Sequence, residues 1–204
     1  DLGAMSDVER AAFGAAVRAY LLENPEVLLE AVEVLNARQA AEQAGADSAL
    51  VAAHRDEIFA DGFSWVGGNP DGDVTLVEFL DYRCGVCRRA HPDVKELVRS
   101  DGNIRYIVKE FPILGPQSDL SSAFAIATLL EAGPEAYGAM HEALMALEGN
   151  ATGPTLVRLA QALDLDGEAI LARTADPEVE RRIAATRDLA IRLQINGTPT
   201  FVFD

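Results

Sequence analysis

Apolar positions recur at spacings of three and four through residues 6 to 22, where Val8, Ala12, Phe13, Val17, Tyr20 and Leu21 share one face, and predict a first helix. Ser6 with Glu9 three positions later is a capping box at its start. Asn24-Pro25 breaks the pattern and restarts it, with Asn24 as N-cap and Pro25 in the first helical position. From Pro25 to about Ala60 the chain is rich in Ala, Glu, Gln and Leu, interrupted only at Gly45, which predicts a helix of up to about 50 Å at 1.5 Å per residue. Its stripe of Leu28, Ala31, Val32 and Leu35 would stay wet unless it packs on another chain or folds back on its own domain. Residues 1 to 60 therefore read as a helical stalk for oligomerisation.

Asp61-Gly62 ends that helix, and Gly67-Gly68-Asn69-Pro70-Asp71-Gly72 is dense turn chemistry that marks a boundary. The periodicity then changes. Val74 to Leu80 is a nearly continuous apolar run of strand length, as a buried central strand requires. Helical spacing resumes after Cys84 with Val94, Leu97 and Val98, and Ile104 to Val108 is a second strand, so a strand–helix–strand unit is expected. Residues 118 to 174 read as helices punctuated at Gly133-Pro134, Gly153-Pro154 and Asp166-Gly167, followed by a helix from Pro177 to Leu193. The chain closes with Gly197-Thr198-Pro199 and a strand that begins at Thr200. The sum is an α/β class domain over residues 61 to 204, with a helical insertion at about 116 to 176, behind the 1 to 60 stalk.

Composition narrows the function. The net charge is −16, from 17 basic and 33 acidic residues, so an acidic surface faces phosphate backbones and nucleic acid is not an expected partner. No apolar run is long enough to span a membrane, and the segment Asp1 to Asp7 lacks the basic start and apolar stretch of a signal peptide. Only two cysteines occur, Cys84 and Cys87. Two thiols three positions apart work either as a redox pair or as half a metal site, and no second pair completes a four-thiolate site.

Cys84-Gly85-Val86-Cys87 sits where a buried strand hands over to a helix. There the unpaired N–H groups and the positive end of the helix dipole favour a thiolate, lowering the thiol pKa into a range of roughly 3.5 to 7.5. Arg83, Arg88 and Arg89 add positive charge nearby. Cys84 is the expected attacking thiolate and Cys87, one turn inward, the resolving thiol. Glu78 lies six residues earlier among apolar neighbours; burial would raise its pKa and suit it to proton transfer with Cys87, whereas an edge position would leave it in water. Lys109 is either its partner across the sheet or a solvated lysine. Thr198-Pro199 before the last strand is a cis or a trans turn; the cis form would expose the Thr198 backbone to pair with an extended substrate near Cys84. His91 with both cysteines offers three soft ligands for copper or zinc, or else lines its helix. Trp65 reads as a core plug rather than a binding platform.

Three stretches, VEFLDYRCGVCRRAHP (77 to 92), VKEFPILGP (108 to 116) and INGTPTFVF (195 to 203), resemble the DsbA family of thioredoxin-fold thiol-disulfide oxidoreductases. The leading AFGAAVRAYLLENPEVLLEAVEVL resembles the first segment of ScsC, the copper-sensitivity suppressor. The resemblance implies a thioredoxin-like fold and a periplasmic enzyme whose signal peptide has been removed. It also implies Cys84 as nucleophile, Cys87 as resolving thiol, Glu78 as buried acid and Pro199 as cis-proline, with no cofactor. Cysteine-containing secreted proteins and a membrane redox partner protein are the implied partners. Gly85-Val86 replaces the Pro-His of strongly oxidising members, so isomerase or reductase work is expected before oxidase work, and an oligomer would present several sites to one misfolded client. The family continues with a strand and a helix after the position of Asp204, so a longer natural protein, or an end omitted from the sequence, is expected.

Overall fold

Ser6 opens the first helix as its sequence encodes. In the computed structural model, which describes residues 5–204, the Glu9 N–H donates to the Ser6 hydroxyl at 3.4 Å while the Ser6 N–H donates to the Glu9 carboxylate at 2.8 Å. Residues 1 to 4 of the expected stalk lie outside the described residues. Helix α1 spans Asp7–Glu23 and α2 spans Glu26–Ala53. Asn24 closes α1 rather than opening α2, because both its N–H and its side-chain amide donate to the Tyr20 carbonyl, at 2.8 and 2.9 Å. Pro25 stands just ahead of α2 instead of inside it. Gly45 does not interrupt α2, since one glycine costs only about 1 kcal/mol among strong helix formers. The interruption falls at His54, before a short helix α3, Arg55–Phe59.

Two compact units follow from this, residues 1–49 and Leu50–Asp204. Among the described residues of the first, no side chain of α1 or of its stretch of α2 is buried. Phe13, Tyr20, Leu28, Leu29, Val32 and Leu35 are each about half exposed or more. In the second unit, α3 belongs to the core: Ile58 and Phe59 are buried, although the sequence groups them with the leading helices.

The sheet of the second unit has the order β1-β3-β2-β4. Strand β2 (Val74–Leu80) is central, parallel to β3 (Ile104–Glu110) and antiparallel to β4 (Thr200–Phe203). Strand β1 (Trp65–Gly68) pairs antiparallel on the far side of β3 and was not legible in the sequence, where two glycines in four residues masked it as turn. Gly68, and Gly72 in the turn that follows, answer to close packing: a Cβ on Gly68 would stand 2.4 Å from the Ile104 carbonyl oxygen, and one on Gly72 would stand 2.2 Å from that of Asn103. The turn between β1 and β2 is pressed against the start of β3.

Alternation along the strands sorts two clusters. Leu76, Leu80, Tyr106 and Val108 pack with α4 (Gly85–Asp101) and with the insertion helices α5 (Pro116–Ala146), α6 (Gly153–Gln161) and α7 (Gly167–Arg173). Val77, Phe79 and Ile107 pack with α3 and the end of α8 (Pro177–Arg192). Helix α5 breaks at Gly133, whose φ of 88° lies outside the helical region and lets Pro134 start the second half.

Register also corrects the placement of Lys109. It stands opposite Phe79, whereas Glu78 stands opposite Val108, so the two side chains point to opposite faces of the sheet. Lys109 is neither the partner of Glu78 nor solvated. It is 1% exposed, its ammonium donating to the Asp61 carboxylate at 2.5 Å and to the Glu57 carbonyl at 2.8 Å. This pair ties α3 to the sheet. Asp61→Ala should destabilise the domain by about 3 to 5 kcal/mol by leaving a buried ammonium without its counter-charge, and adding Lys109→Met should restore most of the loss in chemical denaturation.

Candidate active site

Cys84 is the N-cap of α4, and the Cys87 N–H points at its sulfur at 3.5 Å. The chain arrives in that pose because Asp81 folds the preceding turn. The Arg83 N–H donates to the Asp81 carboxylate at 2.7 Å, and the Cys84 N–H donates to the Asp81 carbonyl at 3.0 Å. The other Asp81 oxygen accepts from the N–H groups of Ile113 and Leu114, at 2.8 and 3.0 Å, and so fixes the loop after β3 beside the same turn. Asp81 is fully buried with three amide donors. Sequence reading missed it; the signal was an Asx turn ending on a helix cap.

Thr198 reaches Cys84 from 114 residues away: the Cys84 thiol donates to the Thr198 carbonyl oxygen at 3.2 Å, and the Thr198-Pro199 peptide bond is cis. The cysteines are free thiols with unlike environments. Burial works against ionisation of Cys84, but donors around its sulfur (the Thr198 side chain, the Cys87 N–H and thiol, and the Val86 N–H) outweigh it and hold its pKa below the ordinary range. Cys87 is pushed up to about 12, mainly by burial, with the Cys84 charge adding to it. The arginines do something other than the sequence suggested. Arg88 donates to the carbonyls of Tyr82 and Leu147, at 2.6 and 2.7 Å, and Arg83 to that of Gly149 at 2.6 Å, so both tie loops to the active-site turn. The guanidinium of Arg89 folds over Gly85.

Glu78 is on the central strand and fully buried, not at a wet edge. Tyr106 donates its hydroxyl to one carboxyl oxygen of Glu78, and the other oxygen has no partner. Burial raises the pKa of Glu78, and the Tyr106 bond offsets part of the rise. Tyr106 itself is pushed well above its usual range by burial and then by the charges of Glu78, Glu110 and Cys87, so it lies within the field of all three. The structure thus gathers Cys84, Cys87, Thr198 and Pro199 at one point, with Glu78 beneath them through Tyr106.

His91 packs its ring against His141, centroids 5.0 Å apart, and faces Glu142 at 3.3 Å. Among the described residues, no group of three or more His, Cys, Asp or Glu side chains is arranged to hold a metal ion. Trp65 plugs the core as expected, stacking on Tyr137 with centroids 5.2 Å apart and donating to the Pro134 carbonyl at 2.8 Å. No described helix is long and apolar enough to cross a membrane.

Iodoacetamide should therefore label Cys84 with a midpoint below the roughly 8.5 of an unperturbed thiol, while Cys87 stays unlabelled up to about pH 9. Mass spectrometry of the alkylated peptide separates the two sites; equal labelling of both would contradict this asymmetry.

Comparison with known proteins agrees with the geometry. The thioredoxin family profile matches residues 61–204, and that of the copper resistance protein ScsC N-terminal domain matches residues 9–42. A thioredoxin-like oxidoreductase from Silicibacter pomeroyi is 43% identical with a TM-score of 0.69, over 74% of this chain and 85% of that one. BcfH of Salmonella enterica Typhimurium is 30% identical with a TM-score of 0.78, over 95% of this chain and 82% of that one. Among curated relatives, the Na(+)/H(+) antiporter NhaA 3 of Salinispora tropica is 32% identical over 138 residues, 67% of this chain and 21% of that one. The chain spans about a fifth of the length of the curated relatives it matches, at 21% for the first two. With the thioredoxin profile covering well over half of its length, the protein belongs to the thioredoxin family.

Proposed function

We propose that this protein exchanges disulfides with cysteine-containing secreted proteins in the periplasm, working as an isomerase or reductase. The observation that carries the reading is the split between two neighbouring thiols, one held below the ordinary range at a helix cap and the other pushed up to about 12. The Cys84 thiolate attacks one sulfur of a client disulfide, forming a mixed disulfide and releasing the other client sulfur as a thiolate. Cys87 then loses its proton, attacks the Cys84 sulfur, and frees the second client thiol as the Cys84–Cys87 disulfide forms. Two electrons pass to the client. Glu78, whose pKa burial raises, takes up the Cys87 proton in its carboxylate form, that carboxylate being held in place by the Tyr106 hydroxyl. In isomerisation the released client thiolate attacks the mixed disulfide instead, and Cys87 stays reduced.

The Thr198 carbonyl, cis to Pro199 and facing Cys84, suits it to accept an N–H from an extended client backbone. A membrane redox partner protein would return the pair to its working state. The leading helices support oligomerisation because the apolar side chains of the first unit have no cover within it.

Reduced protein should reactivate scrambled ribonuclease and reduce insulin. Cys84→Ser should abolish both, and Cys87→Ser should accumulate mixed disulfides. Failure in both assays together with fast oxidation of reduced peptides would assign the DsbA-type oxidase direction instead. For the stalk, light scattering should give an oligomer for the full chain and a monomer for a chain beginning at Leu50; a monomer in both cases removes that part of the reading.

A further inference from the structure

One buried acid has no part in the exchange chemistry above. Glu110 ends β3 on the same sheet face as Glu78 and is 6% exposed. One of its oxygens accepts the hydroxyls of Tyr82, at 2.8 Å, and Tyr137, at 2.5 Å; the other is buried with no partner. Tyr82 stands two residues before Cys84, and its backbone carbonyl holds Arg88. The Glu110–Tyr82 bond is therefore one fixed point of the turn that presents the attacking sulfur.

Among the described residues, no cation pairs with Glu110. From β2 Glu78 shares its sheet face, and the following turn contributes Asp81 and Tyr82. Tyr106 faces it from β3, and Cys87 and His91 lie on α4. Helix α5 contributes Tyr137 and His141, the latter 3.0 Å from the Tyr82 hydroxyl and followed by Glu142, which pairs with Lys95. Helix α8 contributes Arg182, whose guanidinium is held by Glu178 at 2.8 Å and by the Phe63 carbonyl at 3.1 Å. His141 is neutral at physiological pH, pushed down to about 3 by burial. Glu110, Arg182, Ser64 and Thr186 also line a cavity of about 10 Å³, the size of one water molecule.

We propose that Glu110 is a redox-linked proton acceptor and positioning residue, taking up a proton from solvent when the Cys84–Cys87 disulfide is reduced. This rests on the redox reading of the cysteine pair. Two glutathione thiols, becoming glutathione disulfide, supply two electrons. The Cys84–Cys87 bond breaks, Cys84 becomes a thiolate and Cys87 takes one proton. The new negative charge on Cys84 disfavours a second unpaired charge under the same turn, so ionised Glu110 binds a further proton. Tyr106 lies in the fields of both Cys87 and Glu110, and the Asp81 charge acts on Glu110. Glu110 is poised for this because burial, ahead of every other influence, pushes it up to about 7, leaving it partly ionised near neutrality.

The test is a glutathione redox titration of the full chain and of Glu110→Gln at several values between pH 6 and 8, reading protons bound per two electrons from the pH slope of the equilibrium constant. Near pH 7 the wild-type chain should bind more protons per two electrons than Glu110→Gln, by up to about 0.5, whatever Cys84 itself takes up in both chains. Tyr137→Phe removes a donor to Glu110 and should move the steep region to higher pH, an effect that a purely structural role would not produce. Equal slopes for the wild-type chain and Glu110→Gln overturn the linkage. A cysteine pair that forms no disulfide with glutathione in either chain overturns the redox reading itself.

Discussion

Everything at this site depends on amide groups at the start of α4 that no carbonyl of the helix can satisfy. Cys84 occupies the cap, so its sulfur is the acceptor those groups meet. A hydroxyl or carboxylate at the same place would cap the helix and end the matter. A thiol there is instead drawn toward its anion, and the helix start becomes a reactive group. Burying Cys87 one turn later does the opposite to the same chemical group, because desolvation there costs the anion more than its few donors return. One short segment thereby makes two thiols unlike, which is the condition for ordered attack and resolution.

Much of this was legible because the relevant signals are local. The CGVC spacing, the apolar strand ahead of it and the proline-glycine punctuation of the insertion each rest on a few adjacent residues. So does the Ser6–Glu9 cap. What stayed hidden depends on residues far apart in the chain. Asp81 looks like any turn aspartate until the loop at Ile113 and Leu114 comes against it. Strand β1 is weak by composition and exists because β3 offers it a ladder. Lys109 and Glu78 seemed natural partners one strand apart, but the parity of the pleat sends them to opposite faces, where each finds a different group. Pattern along the chain locates the cysteines; register decides which acids and bases surround them.

The buried acids divide by how they are satisfied. Asp81 has three amide donors and holds a turn. Asp61 has a buried ammonium and holds a helix to the sheet. Glu78 and Glu110 have only tyrosine hydroxyls, and each keeps one oxygen with no partner. Donors of that kind do not repay the desolvation of a carboxylate, so the pKa of each group shifts upward. The two acids whose proton is easiest to move are also the two on the sheet face that carries Cys87.

Cations beside a thiolate are the simplest way to stabilise it in an acidic chain, and three arginines do flank Cys84 in sequence. Two of them, Arg83 and Arg88, instead bridge backbone carbonyls, fastening the 147–149 loop to the turn around Tyr82 and Cys84. The work of stabilising the anion passes to neutral donors fixed by the fold, the Val86 and Cys87 amides and the Thr198 side chain. Such donors cannot swing away or be neutralised by dissolved salt as a mobile guanidinium can. The arginines act on the sulfur through geometry, by keeping those donors where they are, and the reactivity of Cys84 is therefore a property of the folded backbone more than of the net charge around it.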